Sequence, residues 1–270
     1  MISALDISAL DTAVRDLLQR TATQIILPRY QSLRAEDIQE KSPGDLVTIA
    51  DKESEAMLSE GLAKLIPEAA IIGEEACAAD PTLLGTLGQQ LAWIIDPIDG
   101  THNFAHGQPP FAIMVGLVDG GQTQAGWIYD PLTQRLCSAE LGKGAFINDE
   151  RIHARGSGAA LPVAGISVHF MDAAQREDCL TRANGKLTLA DIPRCAGEQY
   201  PRIALGGNDI ALFERTLPWD HVPGALFLEE AGGKIARLDG TPYRFWDQAK
   251  GLLGAGSPAM WERTAAILTG

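Results

Sequence analysis

The chain has 270 residues, of which 46% are hydrophobic and 21% are charged, with 35 acidic against 22 basic side chains. This length predicts one large domain or two modest ones with an ordinary buried core, so folding needs neither disulfides nor a structural metal. The net charge of −13 argues against a nucleic-acid-binding protein, because phosphate backbones are bound by clustered lysine and arginine. An anionic substrate would need another source of positive charge.

The cysteines and the uncharged segments indicate the compartment. Cys77, Cys137, Cys179 and Cys195 form no C-x-x-C pair and no cluster with histidine, which predicts free thiols and argues against zinc. The first residues lack the basic and long apolar regions of a signal peptide. The longest stretch without a formal charge, 100–118, is interrupted by glycine, proline, histidine and asparagine. We therefore expect a cytoplasmic protein without a membrane span.

In the first half of the chain, hydrophobic periodicity predicts helices followed by strands. Apolar residues at helical spacing between 14 and 25 predict a helix closed by Pro28, and a second helix is expected from Asp51 to just before Pro67. Two short apolar strands that stop at acidic residues come next, and an antiparallel meander follows them. These strands are predicted at 70–73, 91–95, 112–118, 125–129 and 135–139.

The small, polar residues around 151–162 predict a boundary between two halves of the chain. We expect an N-terminal half, 1–155, that contains most of the acidic motifs, and a C-terminal half, 156–270, that completes the site. Strands and helices in both halves predict sheets covered by helices, in an α/β or α+β architecture. The second half is predicted to contain strands at 163–170, 186–190 and 209–213, a later hairpin, and helices at 172–184, 198–205, 220–231 and 258–268.

The most informative segment is the sequence Asp-Pro-Ile-Asp-Gly-Thr at 96–101, directly after an apolar strand. The strand brings Asp96 to its carboxyl end, where sheet proteins bind ligands. Because Pro97 cannot donate to a continuing ladder, we expect the backbone to leave the sheet there and to bring Asp99 beside Asp96. These two carboxylates and the carbonyl oxygen of Ile98 are oxygen ligands of the kind that Mg²⁺ prefers.

Neighbouring residues add an anion site and two more acids. Gly100 and Thr101, at a helix start, offer backbone N–H groups and a hydroxyl for a phosphate. Glu74 ends an apolar strand, and Asp220 is expected at a helix N-cap with Pro223 in the first turn. A bare turn, a solvated acidic pair and a plain helix cap would explain these motifs one by one. Together they indicate carboxylates gathered around a divalent cation.

The acidic motifs together resemble the signatures of the inositol monophosphatase family. The matching segments are 73–75, 96–104 and 219–233, and 45–51 also resembles a loop of that family. The resemblance extends from about residue 10 to the end of the chain. It implies a layered αβαβα sandwich, a small phosphorylated metabolite as ligand, and a homodimer. It further implies hydrolysis of an inositol-monophosphate-like phosphate monoester by a water that Mg²⁺ activates.

The resemblance also implies roles for individual residues. Two or three Mg²⁺ ions would be held by Glu74, Asp96, the Ile98 carbonyl, Asp99 and Asp220, with Asp96 as the bridge. The catalytic, water-activating residues would be Asp51, Thr101 and Glu74. The residues in contact with the substrate would include Gly100, Thr101, Glu214 and Asp220. Glu198 and Arg202 lie where many family members have small residues that line the alcohol pocket, which makes them candidate specificity residues; a surface helix is the alternative.

Several alternatives stay open from the sequence. The spacing Asp-x-x-Asp-Gly-Thr is one residue longer than the Asp-x-Asp-Gly-Thr of haloacid-dehalogenase-type enzymes, where the first aspartate attacks phosphorus. The same fold could serve a histidinol phosphatase, a 3′-nucleotidase or a sugar bisphosphatase, or a non-catalytic interaction protein stabilised by metal. From the sequence, Lys41 could reach the site from its loop or stay solvated, and ordinary packing or rim positions are expected for His102, His106 and His221.

Overall fold

The computed structural model describes residues 7–42, 44–247 and 249–270. In these residues, helices and strands form five layers in the order helix, sheet, helix, sheet, helix. The layered αβαβα sandwich implied by the family resemblance is therefore confirmed. No helix in the described ranges is both long and apolar enough to cross a membrane.

The helices of the described chain are α1 (Ile7–Thr21), α2 (Leu27–Arg29), α3 (Ile49–Leu65), α4 (Glu74–Ala79), α5 (Thr101–Ala105), α6 (Ala173–Ala183), α7 (Ala196–Ala204), α8 (Pro218–Glu230) and α9 (Pro258–Thr269). A π-helical turn, Ala22–Ile26, joins α1 to α2, so the predicted first helix continues past its Pro28. Short 3₁₀ turns lie at Ala35–Asp37, Pro81–Thr86 and Val168–Phe170.

The strands are β1 (Ile38–Ser42), β2 (Asp45–Thr48), β3 (Ala70–Gly73), β4 (Ala92–Asp99), β5 (Ala112–Asp119), β6 (Gln122–Asp130), β7 (Arg135–Glu140), β8 (Gly144–Ile147), β9 (Glu150–Ile152), β10 (Val163–Ile166), β11 (Thr188–Ala190), β12 (Ile210–Phe213), β13 (Lys234–Ala236) and β14 (Leu252–Ala255). The hairpin β1–β2 stands apart from the two large sheets.

The larger sheet has the order β3-β4-β5-β6-β7-β8-β9, and only β3 and β4 are parallel neighbours. The predicted antiparallel meander is confirmed over β5, β6 and β7. The smaller sheet has the order β11-β10-β12-β14-β13, with β10 parallel to both of its neighbours. The larger sheet ends at Ile152 and the smaller begins at Val163. The division of the chain into two domains stays a prediction.

Apolar packing holds the layers together. Helices α1 and α3 cover one face of the larger sheet, where Leu58 packs with Trp93 and Trp127. Helices α7 and α8 lie between the two sheets, and Tyr200 and Phe227 belong to that core. Helices α6 and α9 pack on the outer side of the smaller sheet. Full burial of one such side chain contributes about 1.5–3 kcal/mol.

Three local predictions around the acidic motifs are wrong. The backbone does not leave the sheet at Pro97: β4 continues to Asp99, with an irregular register against β5 that accommodates the missing N–H. Helix α3 begins at Ile49 rather than Asp51, because Thr48 is its N-cap and Asp51 completes the capping box.

The third correction concerns the helix that contains Asp220. Helix α8 begins at Pro218, a residue suited to the first helical position, so Asp220 lies within the first turn and not at the N-cap. Pro223 is consequently inside the helix and not in its first turn. It packs closely on β6, where a Cβ added to Gly126 would lie 2.7 Å from the Cα of Pro223.

The contact between α7 and α8 gives a test of this packing. A Cβ at Gly224 would lie 2.0 Å from Cδ2 of the Tyr200 ring, which is fully buried. We expect Gly224→Ala to lower the free energy of unfolding by roughly 1–3 kcal/mol through overpacking, measured by urea denaturation. Gly85→Ala is the matched control, since its Cβ would meet no described atom within 4 Å. Equal stability of the two variants would contradict this account.

Candidate active site

A cleft of about 390 Å³ opens beside the carboxyl end of β4. The first turns of α5 and α8, the β1–β2 hairpin and the segment after β10 contribute to its walls. The predicted metal and phosphate residues of the three motifs 73–75, 96–104 and 219–233 meet there. These lining residues are Glu74, Asp96, Ile98, Asp99, Gly100, Thr101 and Asp220.

Three carboxylates form the floor of the cleft. Asp96, Asp99 and Asp220 each present an oxygen within 4.8 Å of the others, and the first two are buried. Asp96 and Asp99 come from the two ends of the irregular segment of β4, and Asp220 comes from the first turn of α8. The Oδ1 of Asp96 accepts a hydrogen bond of 3.0 Å from the Ile98 N–H, which fixes this turn.

Burial, together with the crowding of acids, raises the pKa values of Asp96, Asp99 and Glu74. Burial, and then the charges of Glu74 and Asp99, raise the pKa of Asp96 well above its usual range. Burial and Asp220 raise the pKa of Asp99 to about 7, although its Oδ2 accepts a hydrogen bond of 2.6 Å from the Gly197 N–H. Burial raises the pKa of Glu74 to about 8 despite Lys41 nearby.

A divalent cation fits this arrangement. The donors are the carboxylate oxygens of Asp96, Asp99 and Asp220, and hard cations such as Mg²⁺ are suited to such ligands. Carboxylates this close cannot all ionise in a buried site without positive charge between them. The cluster of Asp96, Asp99 and Asp220 could therefore hold a metal ion, and a bound cation would oppose the rise in the pKa values of Asp96 and Asp99.

Two basic side chains already face the acidic floor. The Lys41 Nζ lies 2.7 Å from the Oε1 of Glu74 and 2.9 Å from that of Glu75. The guanidinium of Arg215 lies 3.7 Å from the Asp220 carboxylate and 4.8 Å from the centre of the Phe170 ring. Lys41 thus reaches the site from the β1–β2 hairpin.

A further buried carboxylate, Asp51, lies behind Thr101. Its Oδ2 accepts hydrogen bonds from both the N–H and the hydroxyl of Thr48, while its Oδ1 lies 3.1 Å from the Thr101 hydroxyl. The same hydroxyl is 2.9 Å from the carbonyl oxygen of Ile98. Burial raises the pKa of Asp51 to about 7. The capping box of α3 therefore holds one carboxylate oxygen and leaves the other for Thr101.

Gly100 shapes the floor through its backbone. Its φ of +86° is in the left-handed region, and it is the N-cap of α5. A Cβ at this position would also lie 3.0 Å from the Pro110 carbonyl oxygen. Glycine is therefore required where β4 turns into α5 beside the acidic cluster.

Glu198, predicted to contact the substrate, does not line the cleft. Its carboxylate is engaged by Arg135 at 2.6 Å and by Arg202 at 2.8 Å, so this candidate specificity pair is an ion-pair cluster beside the cleft. Glu214, by contrast, lines the cleft and is buried, and its Oε1 has no hydrogen-bond partner among the described residues.

The histidines flanking the motifs differ in their surroundings. His102 lines the cleft, and the ring of His106 stacks on the ring of His102 with 4.4 Å between their centres. His221 is buried, with its Nδ1 2.8 Å from the Tyr200 hydroxyl and its Nε2 2.9 Å from the Arg215 carbonyl oxygen. His221 therefore links Tyr200 of α7 to the backbone of the segment that leads into α8.

Several residues of the cleft were missed by the sequence analysis. Arg194, Gln199 and Arg215 all line it. Gln199 follows Glu198 on α7, and consecutive helical residues face about 100° apart, so the pattern of charges did not show which of the two faces the cleft. The pairing of Arg215 with Asp220 depends on a loop conformation that no local motif predicts.

The chain is similar in sequence to several known proteins. The chain is 31% identical over 225 residues to a fructose-1,6-bisphosphatase/inositol-1-monophosphatase of Aquifex aeolicus, covering 82% of each chain. It is 33% identical over 238 residues to Nus factor SuhB of Escherichia coli, covering 86% of this chain and 85% of the relative. It is 31% identical over 252 residues to the chloroplastic phosphatase IMPL1 of Arabidopsis thaliana, of which it spans 64% while 87% of this chain is covered.

A solved structure and a family profile extend the similarity to nearly the whole chain. The extragenic suppressor protein suhB from Bartonella henselae has a TM-score of 0.81 and 25% identity, covering 96% of this chain and 98% of that one. The profile of the inositol monophosphatase family matches residues 7–269. These relatives and the family indicate a phosphatase that acts on phosphate monoesters. The chain belongs to the inositol monophosphatase family.

Proposed function

We propose that this protein hydrolyses a small, inositol-monophosphate-like phosphate monoester in an Mg²⁺-dependent reaction. The observation that carries the proposal is the convergence of Asp96, Asp99 and Asp220 within 4.8 Å, beside the hydrogen-bonded pair of Asp51 and Thr101. A cation-binding floor, and a general base that reaches the cleft through the Thr101 hydroxyl, are what hydrolysis of an anionic ester requires. Metal ions would also supply the positive charge that this acidic protein lacks.

Two or three Mg²⁺ ions would be held by the acidic floor. Their ligands would be Glu74, Asp96, the Ile98 carbonyl, Asp99 and Asp220, with Asp96 shared. Bound there, Mg²⁺ would neutralise the phosphate, act as a Lewis acid on its oxygens and lower the pKa of water. Lys41 would keep Glu74 oriented, because its ammonium group contacts the Glu74 carboxylate directly.

Asp51 and Thr101 would remove the proton of the attacking water. The Thr101 hydroxyl has one hydrogen, which it can donate to the Asp51 Oδ1 at 3.1 Å while its lone pair accepts a hydrogen bond from the water. The water proton would then pass to Thr101 as the Thr101 proton passes to Asp51. A pKa of about 7 suits Asp51 to act as the base near neutral pH.

The remaining walls would orient the two parts of the substrate. The backbone N–H groups of Gly100 and Thr101 would bind the phosphate oxygens as they gain charge. The unpartnered Oε1 of Glu214 would accept a hydrogen bond from a hydroxyl group of the alcohol. Asp220 would lie next to the departing oxygen. Glu198 has no part in this arrangement, since its two carboxylate oxygens already form ion pairs with Arg135 and Arg202.

Two alternatives differ in what they require of the cleft. A sugar bisphosphatase would use the same floor, and the Aquifex relative has both names. An interaction protein, as the name Nus factor suggests for the E. coli relative, would need no base in contact with Thr101. The buried contact between Asp51 and Thr101 therefore supports catalysis. The homodimer and the cytoplasmic location stay predictions.

The first test is phosphate release from a panel of inositol phosphates, histidinol phosphate, nucleoside bisphosphates and sugar bisphosphates. We expect turnover with Mg²⁺ and none after chelation. Asp96→Asn should lower kcat/KM by at least about a hundredfold, because Asp96 is central to the metal ligands. Asp16→Asn, at an exposed position of α1, is the matched control and should be neutral. Activity of Asp96→Asn near that of the control would refute the proposed role.

The pH dependence tests the base. Because Asp51 must be ionised to accept a proton, kcat/KM should fall as the pH decreases through about 7, the raised pKa of this group. Asp51→Asn should lower kcat by roughly 10²–10⁴-fold and abolish this acidic limb. The pH–rate profiles of both proteins provide the measurement, with Mg²⁺ affinity as the control for folding. An unchanged acidic limb in the variant would exclude Asp51 as the base.

A further inference from the structure

The outer part of the cleft differs in charge from its floor. Arg194 lines this part together with His102 and His169, whereas the carboxylates lie below. In a chain with a net charge of −13, the exposed Arg194 guanidinium at the mouth of an acidic site is a local reversal of sign. The metal-binding floor does not require such a group.

Arg194 is held in place by the backbone and remains available for a ligand. The Nδ2 of Asn103 donates to the carbonyl oxygens of Pro110 and Pro193, each at 2.8 Å, which ties the segment before α7 to α5. Arg194 follows with a φ of +54°, in the left-handed region that is uncommon for arginine. Among the described residues, its exposed guanidinium has no ion-pair partner.

The basic side chains at the mouth influence one another. Burial lowers the pKa of His102, and the nearby charges of Arg194, His106 and His169 lower it further. Arg194 and His102, a residue of the first turn of α5, line the same cleft.

A polar side chain deeper in the cleft lacks partners. Gln199 is only 3% exposed, lines the cleft, and has no hydrogen-bond partner for either its Nε2 or its Oε1 among the described residues. An added Cβ at Gly165 of β10 would lie 2.9 Å from this Nε2, so the amide is next to the strand whose end forms the outer wall. A buried amide without partners is costly unless a ligand satisfies it.

We propose that the alcohol part of the substrate carries a second anionic group, a phosphate or a carboxylate, which Arg194 binds at the mouth of the cleft. Gln199 hydrogen-bonds an oxygen of the alcohol between that group and the floor. This inference rests on the proposed function, because it takes the floor as the site of the phosphoryl group that is transferred. It changes that proposal in one respect: the preferred monoester has a second anionic group, which inositol monophosphate lacks. A guanidinium is suited to either anion, because its planar donors match two oxygens at once.

Matched pairs of substrates test the inference. Fructose 1-phosphate is compared with fructose 1,6-bisphosphate for a second phosphate, and glycerol 1-phosphate with 3-phosphoglycerate for a carboxylate. We expect kcat/KM to be about tenfold higher for the anionic member of at least one pair. Arg194→Gln should remove this preference by raising KM about tenfold for that member alone, and Arg194→Lys should keep part of it.

Two further variants separate the effect of Arg194 from that of a remote positive charge and from that of Gln199. Arg20→Gln removes one exposed positive charge from α1, remote from the cleft, and should change neither member of a pair. Gln199→Leu should raise KM for both members of a pair, because its contact is with the part that they share. No preference in the unmodified protein, or equal effects of Arg194→Gln on both members, would overturn the proposal.

Binding measurements keep the inference distinct from the proposed function. In the Asp51→Asn variant with Mg²⁺, calorimetry gives the Kd of each phosphate ester where turnover is slow or absent. Adding Arg194→Gln should raise Kd about tenfold for the anionic member and leave its partner unchanged. Equal Kd values would refute the second-anion site even if hydrolysis occurs. Selective loss of affinity without hydrolysis in any protein would instead support the site and contradict the proposed reaction.

Discussion

The ionisation of the acidic cluster at the end of β4 is controlled by the mutual repulsion of its buried carboxylates. Asp96 and Asp99 are buried and lie close to Asp220, and the charge of Glu74 also acts on Asp96. Removing such groups from water disfavours their charged forms, and each neighbour of the same sign disfavours them further. Positive charge must therefore enter the cluster if it is to be ionised at neutral pH. Lys41 and Arg215 supply part of that charge from the rim.

The layered fold assembles these groups from distant segments. The parallel pair β3–β4 brings Glu74 and Asp96 to the same edge of the larger sheet, and the irregular pairing around Pro97 presents Asp99 there as well. Helix α8 packs between the two sheets, so that its first turn places Asp220 at this edge. The contact of Gly224 with Tyr200 lets α7 approach α8 closely. Stability of the middle layer and geometry of the site are therefore coupled.

Local patterns predicted most of the fold and the centre of the site. Apolar periodicity is sufficient for α3 and the meander, and the Asp-Pro-Ile-Asp-Gly-Thr sequence identifies the floor because its chemistry is contained in six adjacent residues. The start of α8 was misjudged, since both Asp220 and Pro218 are suitable for a helix start. Glu198 was named as a candidate specificity residue from its place in the segment that lines the alcohol pocket of many family members. Only the packing of α7 determines that Gln199, and not Glu198, lines the cleft.

The dependence of folding stability on pH and on Mg²⁺ tests directly whether the acidic cluster binds a metal. Since Asp51, Glu74 and Asp99 have folded-state pKa values of about 7, 8 and 7, above their ordinary values, the metal-free protein should lose stability as the pH rises from about 4 to about 8. Metal binding requires the ionised carboxylates, so it competes with protons. At 100 times its Kd, Mg²⁺ would stabilise the fold by about 2.7 kcal/mol.

The decisive measurement is the thermal unfolding of the chelator-treated protein with and without Mg²⁺, at about pH 8 and about pH 5.5. A carboxylate-lined metal site predicts a rise in Tm of several degrees at the higher pH and a much smaller rise at the lower one. An unchanged Tm at the higher pH, or equal shifts at both, would contradict the assignment of this cluster as a metal site.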